Sequence, residues 1–306
     1  MDRKYAHVIV VGIDGAGSFI KQADTPNFDR IFEGGAVTYS ALASKPTISA
    51  ECWGSMLIGV GPEVHKLTNR KISILRYPVK SKRPTVFRRI REKYLEAVLG
   101  SYCHWNPINH GIVERNLGVD EKTGSDEELT PQICEYIKSK KPDFFFIHFD
   151  SVDDAGHKNG YGTEPHLQQI HEVDRLVGEI YQAVIDAGIA ADTLFTVIAD
   201  HGGTNPGNGQ RGDHGGWTDE EKYTTFAASG KGIKNGEIGE MNVRDLASII
   251  LYAFGIDAPE FDEKGWTSQI PENLFEDDVF PAYKDISHLT GAKPRISTEQ
   301  HKSKLI

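Results

Sequence analysis

The stretch DFFFIHFDSVDDAGH, residues 143–157, sets a short apolar run broken by one histidine directly before a group of carboxylates. A run of this kind, without polar alternation, predicts a strand buried on both faces, which is the pattern of a parallel sheet. Two further runs share the design: HVIVVGI (7–13) leads to Asp14, and TLFTVIA (193–199) leads to Asp200 and His201. In open α/β sheets the ligand-binding loops gather at the carboxyl ends of the strands, so these three acids are expected to converge.

Outward from these runs, strand-like and helix-like segments alternate. This predicts an α/β fold with a mainly parallel central sheet and helices on both faces. AECWGSMLIGV, from Ala50, reads as a helix ending near Gly59 and Gly61, and further helices are expected over Pro84 to Leu99 and Pro131 to Lys140. The clearest helix is PHLQQIHEVDRLVGEIYQAVIDAG, where Leu167, Ile170, Val173, Val177, Ile180 and Val184 recur at three- and four-residue steps before Gly188. NVRDLASIILYAFGI predicts a last helix with Asn242 as its N-cap. The whole of 1–306 is expected to form one domain. Residues from about 61 to 130 are irregular and proline-punctuated, an expected insertion at the sheet edge, and 199–239 is dense in glycine and expected to be mostly loop. The tail after about 271 is polar and unpatterned.

A chain of 306 residues can bury a full core without disulfide or metal staples. Its net charge of -10 argues against long nucleic acid as the main partner. Three widely spaced cysteines, Cys52, Cys103 and Cys134, suit a reducing compartment. The apolar run at 8–13 is too short for a signal peptide, and no run approaches the ~20 residues of a membrane span. The expectation is a cytoplasmic protein with no membrane partner, acting on a small substrate.

Clustered Asp and His are donors for divalent cations. Asp14, Asp200 and His201 can serve one ion, and Asp153, His157 and His214 a second. His214 sits in RGDHGGWTDEE (211–221), whose glycines permit the turns that bring an imidazole back over the sheet. A nucleophile is expected where a helix begins, because free N–H groups there stabilise a transferring oxyanion. SKPTISAECWGSMLIG (44–59) offers Thr47 and Ser49, and Ser49, placed at the N-cap, is the better placed.

In order along the chain, GIDG (12–15), PTIS (46–49), GVGPEVH (59–65), DDAGH (153–157), ADHGG (199–203) and DHGGW (213–217) resemble the alkaline phosphatase superfamily. Within it they are most similar to the type I phosphodiesterase/nucleotide pyrophosphatase branch, over about residues 7 to 270. The resemblance implies hydrolysis of a small phosphate ester with two divalent ions, zinc above all, through a covalent phosphoseryl intermediate. It implies that Asp14, Ser49, Asp200 and His201 hold one ion and Asp153, His157 and His214 the other, selecting Asp153 over Asp150 and Asp154. In that branch the nucleophile stands ten residues before the glycine of a Thr-Gly pair, and Ile58-Gly59 takes that place here, which again returns Ser49. The chain departs in having Glu51-Cys52 where the branch has Pro-Asn, and serine where threonine is usual. Both leave the choice between mono- and diester open. A phosphomonoesterase, a sulfatase- or phosphonate-hydrolase-like activity, a phosphomutase and a non-catalytic metal-binding protein are the alternatives, and SAECW lacks the Pro-Ser-Arg signal of formylglycine sulfatases.

Other residues read more blandly. His148 lies inside a strand as a core or supporting group, His166 and His171 as packing or surface residues, and His65 as no ligand. KSKRPTVFRRIREK (80–93) is a basic, solvated helix face or an attractor of anionic substrate. Trp53, Asn69, Trp105, Asn106 and Tyr161 either line a pocket or simply pack.

Overall fold

The computed structural model describes residues 2–205, 211–277 and 283–290. Its strands are β1 (His7–Ile13), β2 (Ala36–Leu42), β3 (Leu99–Cys103), β4 (Val119–Thr123), β5 (Phe144–Phe149), β6 (Thr193–Ala199), β7 (Tyr223–Ser229) and β8 (Gly236–Glu237). The α-helices are α1 (Pro26–Phe32), α2 (Ser49–Ile58), α3 (Pro62–His65), α4 (Asn69–Ile74), α5 (Val86–Lys93), α6 (Pro107–Gly111), α7 (Asp126–Lys140), α8 (Ser151–Asn159), α9 (Glu164–Asp186), α10 (Asp219–Lys222), α11 (Leu246–Ala253) and α12 (Ser287–Thr290).

The strands form one sheet in the order β4-β3-β5-β1-β6-β7-β2-β8. Only β7 runs against its neighbours, pairing antiparallel with β6 and β2. The three apolar runs lie side by side at the centre, β1 between β5 and β6, with Gly12 level with His148 and Ile198. Alternation along each strand divides the core in two. Val8, Val10, Phe144 and Phe146 pack with α2, α5 and α11, whereas Ile9, Val11, Phe145 and Ile147 pack with α1, α7 and α9. The mainly parallel sheet with helices on both faces is therefore as expected.

Several boundaries moved, for identifiable reasons. The stretch 61–130, read as an irregular edge insertion, supplies four helices, the start of α7, and strands β3 and β4, with β4 at the sheet's edge. Leu99 is the first residue of β3 and not the end of a helix. The helix expected from Pro131 begins at Asp126, where the Ser125 hydroxyl and the Glu128 carboxylate close a capping box, and Pro131 lies inside it. Within 199–239, β7 is an interior strand paired on both sides, hidden in the sequence because YTTFAAS carries few large apolar residues. The expected tail after about 271 is described only through 277 and over 283–290; its remainder lies outside the described residues.

Candidate two-cation active site

The carboxyl ends of β1, β5 and β6 bring Asp14, Asp153 and Asp200 into one pocket, with β1 in the middle. Gly15 follows Asp14 with a φ of +67°, and a Cβ there would meet Asp153 Oδ1 at 2.3 Å. A side chain at position 15 would thus drive the Asp14 and Asp153 loops apart.

Each carboxylate is held by one oxygen and offers the other. Asp14 Oδ2 accepts from the Trp53 indole at 2.9 Å and lies 3.0 Å from His148 Nε2, leaving Oδ1 to face Ser49 Oγ and His201 Nε2, both at 3.5 Å. Asp153 Oδ1 accepts from the Tyr161 hydroxyl at 2.6 Å, while Oδ2 lies 3.2 Å from His157 Nε2 and 3.8 Å from His214 Nε2. Asp200 Oδ1 accepts the backbone N–H groups of Gly15 and His201 at 3.1 and 2.8 Å. Its Oδ2 is buried without a hydrogen bond, 3.2 Å from His201 Nε2.

The histidines repeat this design. Nδ1 of His157, His201 and His214 lies 3.0, 2.9 and 2.7 Å from the carbonyls of Gly212, Gly202 and Thr47. A carbonyl can only accept, so each Nδ1 carries a proton and each Nε2 is turned inward. His157 and His214 consequently face each other through Nε2 at 3.2 Å. Lone pairs and carboxylate oxygens crowded together, one of them orphaned, form a donor set short of positive charge. That fits divalent cations, and two overlapping sub-groups are each close enough to hold one: Asp14, Asp200 and His201, and Asp153, His201 and His214, with His201 Nε2 common to both where the sequence had placed His157 in the second.

Protonation reflects the same crowding. Burial, reinforced by the charge of Asp153, pushes Asp14 up to about 7, and burial with Asp14 pushes Asp200 well above the usual carboxylate range. Asp153 is buried too, but the His157 hydrogen bond and the surrounding imidazoles hold it well below that range. The same bond to Asp153 raises His157 to about 9, whereas burial beside His214 lowers His201 to about 3.

The seven residues singled out from the sequence therefore lie together, and Ser49 differs from expectation in one detail. Ile48, in extended conformation, holds the N-cap of α2, and Ser49 is the first helical residue. A capping serine would spend its oxygen on the helix's own N–H groups; Ser49 Oγ is left 3.3 Å from His201 Nε2. Thr47 is engaged elsewhere, its Oγ1 donating to the Gly216 carbonyl and accepting from the Gly215 N–H. Asn69 takes the Ala50 N–H on its Oδ1, tying α4 to the first turn of α2.

In the sequence Trp53 and Tyr161 read as residues that line a pocket or simply pack, and His148 as a core or supporting group; their carboxylate partners were not visible. Alternation in β5 could have pointed to His148, which shares its face of the sheet with Phe144 and Phe146 and packs edge-on against Trp53 at 5.0 Å. His65 stays outside the cluster, bonded to Ser55 Oγ and the Glu51 carbonyl. His166 is a buried packing residue and His171 an exposed one bonded to the Asp24 carbonyl.

A model of the type I phosphodiesterase/nucleotide pyrophosphatase family matches residues 8–247. The chain belongs to that family. Among curated relatives, GPI ethanolamine phosphate transferase 2 of Aspergillus fumigatus is 25% identical over 226 residues, which is 69% of this chain and 28% of that protein. The 2,3-bisphosphoglycerate-independent phosphoglycerate mutase 2 of Methanosarcina acetivorans is 30% identical over 137 residues, 44% of this chain and 24% of that one. The chain spans about a quarter of the length of these relatives. In fold it is similar to an inactive variant of murine ectonucleotide pyrophosphatase/phosphodiesterase 5 in complex with AMP, with a TM-score of 0.69 at 15% identity, covering 86% of this chain and 97% of that one. The 2-O glycosaminoglycan sulfatase BT1596 matches with a TM-score of 0.68 at 13% identity, covering 85% and 73%.

Proposed function

We propose that this protein cleaves small phosphate esters through a phosphoseryl intermediate on Ser49, as a phosphodiesterase or nucleotide pyrophosphatase. The observation that carries the reading is the place of Ser49 Oγ: in the first turn of α2, 3.5 Å from Asp14 Oδ1 and 3.3 Å from His201 Nε2. Asp14, Ser49, Asp200 and His201 would hold one divalent cation and Asp153, His157 and His214 the second, zinc being favoured by three imidazoles among the donors. Such ions lower the pKa of a hydroxyl and neutralise charge on a departing oxygen.

The residues themselves set the geometry. The Ser49 hydroxyl loses its proton to solvent as Oγ attacks phosphorus, the ester P–O bond breaks, and the departing oxygen takes up a proton as the alcohol or nucleotide leaves; water then attacks phosphorus, the Oγ–P bond breaks, and one water proton restores the hydroxyl. The positive end of the α2 dipole would lie behind the phosphoryl oxygens, although the Ala50 N–H of that first turn is already taken by Asn69 Oδ1. Trp53, His148 and Tyr161 keep Asp14 and Asp153 in fixed orientation, so little reorganisation is needed as charge develops. Localisation in the cytoplasm remains part of this proposal.

The test compares mono- and bis-nitrophenyl phosphate with Ser49→Ala and Thr47→Ala. Loss of the nucleophile should lower kcat by at least about 10³-fold, with no phosphoenzyme trapped after acid quench. Thr47→Ala should still form one. Full turnover by Ser49→Ala would refute the assignment, and preference for the monoester would favour a phosphomonoesterase. A second reading, transfer of the phosphoryl-linked group to an acceptor other than water, draws on the transferases among the relatives. It would show as product partitioning when an added alcohol competes with water.

A further inference from the structure

We propose that the face built by residues 64–83 is a docking surface for anionic phospholipid bilayers. Residues 64–91 contain ten Lys and Arg and no Asp or Glu, so in a chain of net charge -10 this segment carries +10 and the remainder -20. No other part of the chain is so polarised.

Three observations favour a lipid surface. Among the described residues, no carboxylate lies within salt-bridge distance of Lys66, Arg70, Lys71, Arg76, Lys80, Lys82 or Arg83. Large apolar side chains lie exposed among these cations: Ile74 at 65%, Leu75 at 60% and Val79 at 45%. Finally, Lys66, Lys71, Leu75, Arg76 and Arg83 line a cleft of about 310 Å³, wide enough for a phosphate headgroup.

Cations around protruding aliphatic side chains match a bilayer, where the charges meet the headgroups and the aliphatics reach the acyl boundary. The three protruding residues are aliphatic, whereas a single-stranded nucleic acid would call for aromatic stacking. The acidic remainder of the molecule is repelled by such a membrane, so this face alone can approach it. The surface is held in shape from within: the Arg88 guanidinium donates to the Val79 carbonyl at 2.7 Å, and the Tyr77 hydroxyl to the Arg83 carbonyl at 2.7 Å. It is also close to the active site, since α4 begins at Asn69, which bonds Ala50 beside Ser49, and ends at Ile74, about 9 Å further along the helix.

This docking departs from the expectation of no membrane partner; among the described residues no helix is long and apolar enough to cross a membrane. Peripheral docking needs none. Nor does it require the Ser49 chemistry, so either idea can fail alone.

The experiment is co-sedimentation of the full chain with vesicles of phosphatidylcholine alone, or with about 30% phosphatidylglycerol, at about 0.1 M salt, within reach of screened surface charge. Binding is expected only to the anionic vesicles. Lys80→Glu/Lys82→Glu should weaken it by more than about 25-fold, at roughly fivefold per cation. Ile74→Ser/Leu75→Ser should weaken it at least about tenfold. Both variants should keep wild-type melting temperatures and turnover of a soluble ester. Absence of binding to anionic vesicles, equal binding of wild type and both variants, or capture of RNA without capture of vesicles would each overturn the proposal.

Discussion

Tyr161 and Trp53 show what the individual side chain contributes here. Each spends its one polar hydrogen on a carboxylate oxygen, which turns the other oxygen of Asp153 or Asp14 towards the centre. Removing such a support should loosen the donor set without emptying it. Tyr161→Phe is expected to fold normally and to bind Zn²⁺ about 10–100-fold more weakly in competition with a chromophoric chelator. Unchanged affinity would mean that the hydroxyl does not shape the site. Asp14, Asp153, Asp200, His157 and His201 were legible as candidates because they closely follow apolar runs, and His214 because it sits in a glycine-rich loop. The supporting roles of Tyr161 and Trp53 were not, because which side chain reaches a given carboxylate depends on loops far apart in sequence.

Among the elements, α1 is a short helix whose N-terminus is capped from outside. Its Thr25 makes no side-chain cap, and Asp174 of α9 accepts the N–H groups of Asn27 and Phe28 at 3.0 and 2.7 Å. Asp174→Ala would leave those two N–H groups and the Asn27 side-chain amide without this acceptor and is expected to cost about 2–3 kcal/mol, read from urea unfolding with an unchanged m-value. A loss under about 0.5 kcal/mol would show that water replaces the carboxylate there. The loop that carries His214 is fastened in a comparable way, by the Thr47 hydroxyl and by the Glu221 carboxylate, which accepts the Gly216 and Thr218 N–H groups. The glycines of RGDHGGW announced a turn, but of its anchors only Glu221 is local and Thr47 comes from a distant segment. The same division explains β7 and β4: neither has a strong apolar signature, and each is a strand because a neighbour offers it a ladder.

For the whole molecule, crowded acids and imidazoles link stability to pH and to cations. In the cation-free protein Asp14 is raised to about 7 and His157 to about 9. Both bind more protons folded than unfolded above their ordinary values, so their contribution falls as pH rises, through about 7 for Asp14 and about 9 for His157. His201, lowered to about 3, works oppositely, but only below its ordinary value near 6.5. Between about pH 6.5 and 9 the cation-free protein should therefore lose stability as pH rises. Divalent cations displace those protons, so their binding should release protons and tighten over the same interval. Calorimetry in buffers of different ionisation enthalpy measures the release, and thermal melts with and without chelator should diverge as pH increases. Saturating metal at ~1,000-fold over its Kd would add about 4 kcal/mol per site. Parallel melting curves with and without chelator would show that the donor set holds no cation.

The sequence by itself determined the parallel apolar strands, the helix periods and the acids and histidines that follow them, because burial and period act over a few neighbouring residues. Only the tertiary structure decided that Ile48 rather than Ser49 caps α2, that Thr47 is engaged by the His214 loop, and that β7 joins the sheet. Those outcomes rest on hydrogen bonds between segments up to about two hundred residues apart, and the partner in such a bond is chosen by packing, which no local pattern encodes.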